Sequence, residues 1–196
     1  MKKILVLLFI LSSLLNAGCF SQPKTYKDTR FSMDTTISIE ATGQNNEQVK
    51  TAVDNAFRVF QEIADETDRY KDGSPKGLYQ LNAHAGQGPS TVGSHLLLLA
   101  DMAHKQNFSE FDITLAPLID VWQKHSTAKT VPDNLEIAAS LALTGKDKFS
   151  VAPEKQTITL APGAALDLGA IAKGYAVDVA AAVLAEDKDV SFALVN

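Results

Sequence analysis

Apolar and polar positions change rhythm along this chain, and each change predicts an element. Residues 35–42, "TTISIEAT", alternate strictly, with Ile37, Ile39 and Ala41 on one face, which predicts a strand. "GQNN" predicts a turn. From Glu47 to Asp68 the apolar side chains recur at Val49, Val53, Phe57, Phe60 and Ile63, with Ala52, Ala56 and Ala64 between them, the stripe of an amphipathic helix. "RYKDGSPKG" (69–77) has loop chemistry, and "LYQLN" after it reads as a short turn. Ser90 to Asn107 predicts a second helix, with Leu96, Leu97, Leu99, Ala100 and Ala103 inward. "FDITLAPLIDVWQKH" (111–125) begins extended and turns helical. A third helix is expected to open at Pro132 and to close at Gly145. "FSVAP" and "TITLAP" predict a hairpin, followed by a helix over 169–186 and a strand over 190–195. With no internal repeat and no low-complexity linker, the pattern is that of one α+β domain, a mixed sheet packed with helices.

The N-terminus follows a different logic. Lys2 and Lys3 precede a short apolar run, Ile4 to Leu15, and small residues Ala17 and Gly18 then lead to Cys19. This is the layout of a secretory signal, expected over 1–18. Cys19 is the single cysteine of the chain, so it has no disulfide partner within it. Its position after "NAG" predicts a bacterial lipoprotein cysteine, acylated after cleavage, with an incidental cysteine behind an ordinary signal peptide as the plainer alternative. Residues 19–30 are then expected to be a polar tether and 31–196 the domain. At the other end the chain stops on the apolar "VSFALVN", which predicts a fragment of a longer protein, incomplete at its C-terminus.

Composition narrows the class of function. The 196 residues carry a formal net charge of −5, with 45% hydrophobic and 21% charged residues. That supports a globular core. It argues against nucleic-acid binding, which favours a basic face.

Three stretches carry candidate chemistry. "LDLGAIAKGYAVDVA" (166–180) places Asp167, Gly169, Lys173 and Gly174 where a long helix begins. A helix N-terminus offers free N–H groups and partial positive charge to a phosphate. Lys173 adds a mobile cation, and Asp167 an acceptor for a ribose hydroxyl or a flavin N–H. The plain alternative is that Asp167 is only an N-cap and Lys173 only a solvated charge. In "EFDITLAPLIDVW", Asp112 sits at a strand-to-helix transition, where it could be a helix cap, and Trp122 reads as a core anchor. In "RYKDGSPKG", Tyr70 could stack on a planar ligand or simply pack. His95 and His104 fall on unlike faces of a predicted helix, a poor geometry for a metal pair, and with His84 and His125 they read as surface or packing residues.

In order along the chain, these pieces resemble the ApbE-like FAD:protein FMN transferases, lipoproteins of the bacterial periplasm. "FDITLAPLIDVW" resembles the family's Asp-[Ile/Val]-Thr-x-x-Pro-Leu-x-x-x-Trp, and "LDLGAIAKGYAVD" its most characteristic motif. "FSMDTTISIEATG" resembles its opening strand, with Asp34 where the family usually has Gly. "DRYKDGSPKGLYQLN" resembles its Tyr-x-x-x-Ser-Glu-x-x-x-Leu-Asn segment, with Pro75 in place of Glu and one extra residue before Leu81.

The resemblance implies FAD contacts at Met33, Tyr70, Glu110, Phe111, Asp112, Asp167 and Lys173, and a Mg2+ contact through the backbone carbonyl of Ala170. It implies transfer of FMN from FAD to a Thr or Ser of an acceptor protein, with release of AMP. The acceptors it implies are flavin-carrying subunits of Rnf- and Nqr-type membrane redox complexes. A protein lipid-anchored on the periplasmic side, at the inner membrane, would meet them there. It also implies that further magnesium ligands and a catalytic His lie beyond Asn196, so no catalytic base is assigned here. A flavin-binding lipoprotein without transferase activity, or a pyrophosphatase releasing FMN and AMP, are the alternatives.

Overall fold

The computed structural model describes residues 22–106 and 110–196. Strand β1 (Lys24–Ser32) turns directly into β2 (Thr35–Gly43), and helix α1 (Asn46–Thr67) crosses behind them. A short helix α2 (Leu78–Ala83) and strand β3 (Pro89–Thr91) lead to α3 (Ser94–Lys105), α4 (Ala116–Ala128) and α5 (Asn134–Leu141). The hairpin β4 (Phe149–Ala152) and β5 (Thr157–Leu160) precedes α6 (Ala172–Glu186), and β6 (Phe192–Val195) follows.

The α+β class is as expected. The strands of the described residues, however, fall into two antiparallel sheets, ordered β1-β2-β6 and β3-β5-β4, rather than one mixed sheet. Tight hairpins force the β1–β2 and β4–β5 pairings, because a turn of two or a few residues can only reverse the chain, whereas β2–β6 and β3–β5 are antiparallel pairings between strands far apart in sequence. Between β1 and β2 the whole turn is Met33 and Asp34, at φ 52° and 58°, with Ser32 opposite Thr35. Two consecutive left-handed residues make a type I′ turn, whose twist matches the flanking strands. Asp is one of the few non-glycine residues that tolerates this region.

Two cores form. In the first, Ile37, Ile39 and Ala41 of β2 meet Val53, Phe60 and Ile63 of α1 and Ala176, Ala180 and Leu184 of α6. In the second, Leu78, Leu96, Leu99 and Ile158 surround Leu166 and Leu168. Met33 and Tyr175 pack against both cores, so the seam between them runs past the hairpin turn and the first turns of α6.

Several boundaries differ from the sequence expectation. Residues 24–30, expected as tether, belong to β1 and pair with β2. Their exposed polar side chains hide a strand held by its backbone ladder. Ser90 lies in β3, and α3 starts only at Ser94, because the Glu66 carboxylate accepts the His95 and Leu96 N–H groups there (2.9 and 3.1 Å). Pro132 does not open α5. Asp133 is its N-cap, closing a capping box with Glu136. Trp122 is not a core anchor: 49% of it is exposed, since α4 buries only Ala116 among its residues. Asp167 is not the N-cap of α6, a position taken by Ile171.

Candidate functional site

A cleft of about 310 Å3 opens at the seam between the cores. The β1–β2 turn contributes Met33 and Asp34, the end of α1 and its loop contribute Thr67, Arg69 and Tyr70, and the approach to α6 contributes Asp167, Gly169 and Lys173. Four of the sequence candidates, Met33, Tyr70, Asp167 and Lys173, thus meet in one cavity from three distant segments.

Asp167 is held from three sides. Its Oδ2 accepts from Arg69 Nε at 2.6 Å, and its Oδ1 accepts from Gly169 N at 2.8 Å. Its own N–H donates to the Ile113 carbonyl at 2.7 Å. A Cβ on Gly169 would sit 3.0 Å from Asp167 Oδ1, so glycine is what lets the turn close on the carboxylate. Leu166 beside it is clamped by Asn82, whose Nδ2 donates to the Leu166 carbonyl while its Oδ1 accepts the Leu166 N–H.

The Glu110–Asp112 segment is not part of the cleft lining. Glu110 is exposed, and Phe111 packs against the second core. Asp112 Oδ1 accepts from the Thr114 N–H and hydroxyl (2.7 and 2.6 Å), and Thr114 in turn accepts from Gly145 N. Asp112 therefore shapes its own turn instead of capping α4, whose N-cap is Leu115. Its segment reaches the cleft indirectly, through the Ile113–Asp167 backbone bond.

Ala170 lies exposed in the turn before α6, and its carbonyl accepts no backbone hydrogen bond from the described residues. A lone carbonyl fits a hard cation as one ligand of an oxygen set that substrate phosphates and water can help complete. Among the described residues there is no group of three or more His, Cys, Asp or Glu placed to hold a metal. Lys173, in the first turn of α6, forms no ion pair with the described residues. Gly174 is open, since a Cβ there would touch nothing within 4 Å. Cys19 lies outside the described residues.

Arg69 is the residue that sequence reasoning missed. Its side chain is only 7% exposed, yet it pairs with both Asp120 (2.8 Å) and Asp167 (2.6 Å). Its guanidinium carbon stands 4.2 Å from the centre of the Tyr70 ring, and Nη2 donates to the Tyr70 hydroxyl at 2.5 Å. Burial disfavours its charge, but Asp120, Tyr70 and Asp167 outweigh that and raise its pKa above the ordinary arginine value. The available signal was a lone cation closing the acidic run "ADETD" beside the candidate Tyr70.

The relatives bear on this site. The chain is 35% identical over 132 residues to an FAD:protein FMN transferase of Klebsiella pneumoniae, covering 63% of this chain and 40% of the relative. It is 29% identical over 185 residues to an FAD:protein FMN transferase of Vibrio cholerae, covering 89% and 53%. The solved flavin transferase ApbE from Vibrio cholerae superposes with a TM-score of 0.78 at 26% identity, over 89% of this chain and 57% of that one. This chain thus spans about half the length of the relatives it matches. The model of the ApbE family matches residues 33–196, and by that match this chain belongs to the ApbE family.

Proposed function

We propose that this chain binds FAD in the seam cleft and serves transfer of FMN from FAD to a Thr or Ser hydroxyl of an acceptor protein, releasing AMP. The observation that carries the reading is the convergence of Met33, Tyr70, Asp167 and Lys173 on one cavity. The names of the Klebsiella pneumoniae and Vibrio cholerae relatives support it.

The cavity chemistry suits a flavin nucleotide. Tyr70 presents an exposed ring for stacking, Met33 an adaptable apolar wall, and Asp167 a fixed acceptor for a ribose hydroxyl or ring N–H. Lys173 and the N-terminus of α6 place positive charge where a diphosphate gains most from it. In the proposed reaction the acceptor hydroxyl oxygen bonds to the FMN phosphorus and the bond to the AMP oxygen breaks. The hydroxyl proton is released, and AMP leaves as the phosphate anion. Mg2+, with the Ala170 carbonyl as one ligand, would neutralise charge on the diphosphate. The acceptors proposed are flavin-carrying subunits of Rnf- and Nqr-type complexes. Acylation of Cys19 would hold the enzyme beside them on the periplasmic side of the inner membrane. Among the described residues no helix is long and apolar enough to cross a membrane, and an anchor of this kind needs none.

The test is incubation of the full-length protein with FAD, Mg2+ and a candidate acceptor subunit. Flavin fluorescence on the acceptor band, lost with EDTA or in Asp167→Ala, is the expected result. FMN and AMP released without a labelled acceptor would replace transferase by pyrophosphatase. FAD bound but unchanged would reduce the protein to a flavin carrier.

A further inference from the structure

Each nitrogen of the Arg69 guanidinium has a different partner. Nε donates to Asp167 in the loop before α6, Nη1 to Asp120 on α4, and Nη2 to the Tyr70 hydroxyl. A planar fork is the only side chain able to hold three such directions at once, and lysine, with one tetrahedral nitrogen, cannot replace it.

The consequence for Tyr70 is unusual for an exposed aromatic. Although 58% of the residue is exposed, its ring is fixed at both ends. The guanidinium covers one face at 4.2 Å, and the hydroxyl also accepts from Gln123 Nε2 at 2.9 Å. Tyr70 and Asp167 both line the cleft, and the same guanidinium holds both. Asp120 is not among the residues lining the cleft, and it engages Nη1 of Arg69 while Asp167 engages Nε.

We propose that Arg69 is the positioning residue of the cleft, fixing the Tyr70 ring and the Asp167 carboxylate in one register so that a planar ring stacks on Tyr70 while its polar edge meets Asp167. This deepens the FAD reading above and rests on it for the identity of the ligand. Nothing in the proposal has Arg69 touch the reacting atoms. It acts through the two residues that do the binding.

The test uses the full-length protein as wild type, Arg69→Lys, Asp120→Asn and, as a control, Arg58→Ala, whose i,i+4 pair with Glu62 is exposed. The first measurement needs no ligand. In NMR spectra the Arg69 Nε–H should be slow to exchange in the wild type and in Arg58→Ala. It should exchange faster in Asp120→Asn, and the Tyr70 ring signals should shift with it. The second measurement is FAD affinity, together with the visible circular dichroism of FAD at saturation. Arg69→Lys should bind roughly tenfold or more weakly, and Asp120→Asn several-fold more weakly. The dichroism of the saturated complexes should change in both, a signature that a loss of stability alone would not produce.

Unchanged dichroism and affinity in both variants, with FAD bound by the wild type, would overturn the role of Arg69. So would Tyr70 signals indifferent to both substitutions. A wild type that takes up no FAD would overturn the flavin reading instead, and the ligand-free spectra would still decide whether Arg69 sets the geometry. Should Arg69→Lys fail to fold, Asp120→Asn alone decides, because it loosens Arg69 without removing its charge.

Discussion

Asn82 grips Leu166 as a neighbouring strand would, donating to its carbonyl and accepting from its N–H, both at 2.9 Å. The bonds bridge 84 positions of sequence and fix the backbone one residue before Asp167. Asn82→Ala should cost about 2–3 kcal/mol, from two lost hydrogen bonds and a buried Leu166 N–H left without a partner. Urea denaturation measures the loss. FAD affinity should fall as well, because the Asp167 turn then loses the clamp on the residue before it. Unchanged stability would mean that the clamp is idle.

Gly93 is required by a side chain, not by its own backbone. A Cβ there would lie 2.2 Å from the Glu66 carboxyl carbon, and that carboxylate caps α3. Glu66 is flexible enough to swing away, so the cost of Gly93→Ala is the lost cap, about 1 kcal/mol. Adding Gly93→Ala to Glu66→Ala should then cost almost nothing further. Additive losses in this double-mutant cycle would show that the clash is with something else.

The Met33–Asp34 turn should be improvable. Asp34→Gly relieves a left-handed φ of 58° and should raise stability by about 0.5 kcal/mol, less any backbone entropy lost by glycine. Asp34→Val, branched at Cβ, should lower it by about 1–2 kcal/mol. Paired thermal melts would read both signs, and a stabilising valine would rule out the I′ assignment.

Tyr175 should ionise late. Burial, and then the nearby Glu66 charge, raise the pKa of its phenol above the usual tyrosine value, and its hydroxyl lies 2.8 Å from His95 Nδ1. Because the folded value is the higher one, its contribution to stability is fully present below the unfolded pKa. It is lost as pH rises through the folded pKa. Ultraviolet titration of wild type against Tyr175→Phe should therefore show one late-titrating phenol. Glu66→Gln should move it back only partway, since burial remains. A phenol titrating at the ordinary value would contradict the packing at the seam.

What the sequence made legible, and what it hid, divides by range. The alternation of Ile37, Ile39 and Ala41 and the stripe from Val49 to Ile63 marked β2 and α1 because each pattern is local and one-sided. β1 was hidden because the residues of this edge strand are exposed or half-exposed and carry no period-two apolar signal. The start of α3 was misplaced because its cap comes from Glu66, 29 residues away from His95. In the site, glycines around Asp167 and Lys173 advertised a close-packed turn. Arg69 opens a polar loop that reads as solvent-exposed, and the contact that matters for it lies 98 positions downstream.

The seam carries one more consequence. Met33 and Tyr175 are shared by both cores, and Met33 also lines the cleft. A molecule lodged there acts as a rivet between two packed bodies. Its binding energy counts toward both, by mass action on the folded state alone. Loading the cleft should therefore sharpen melting as well as raise it, drawing the two bodies into a single cooperative transition.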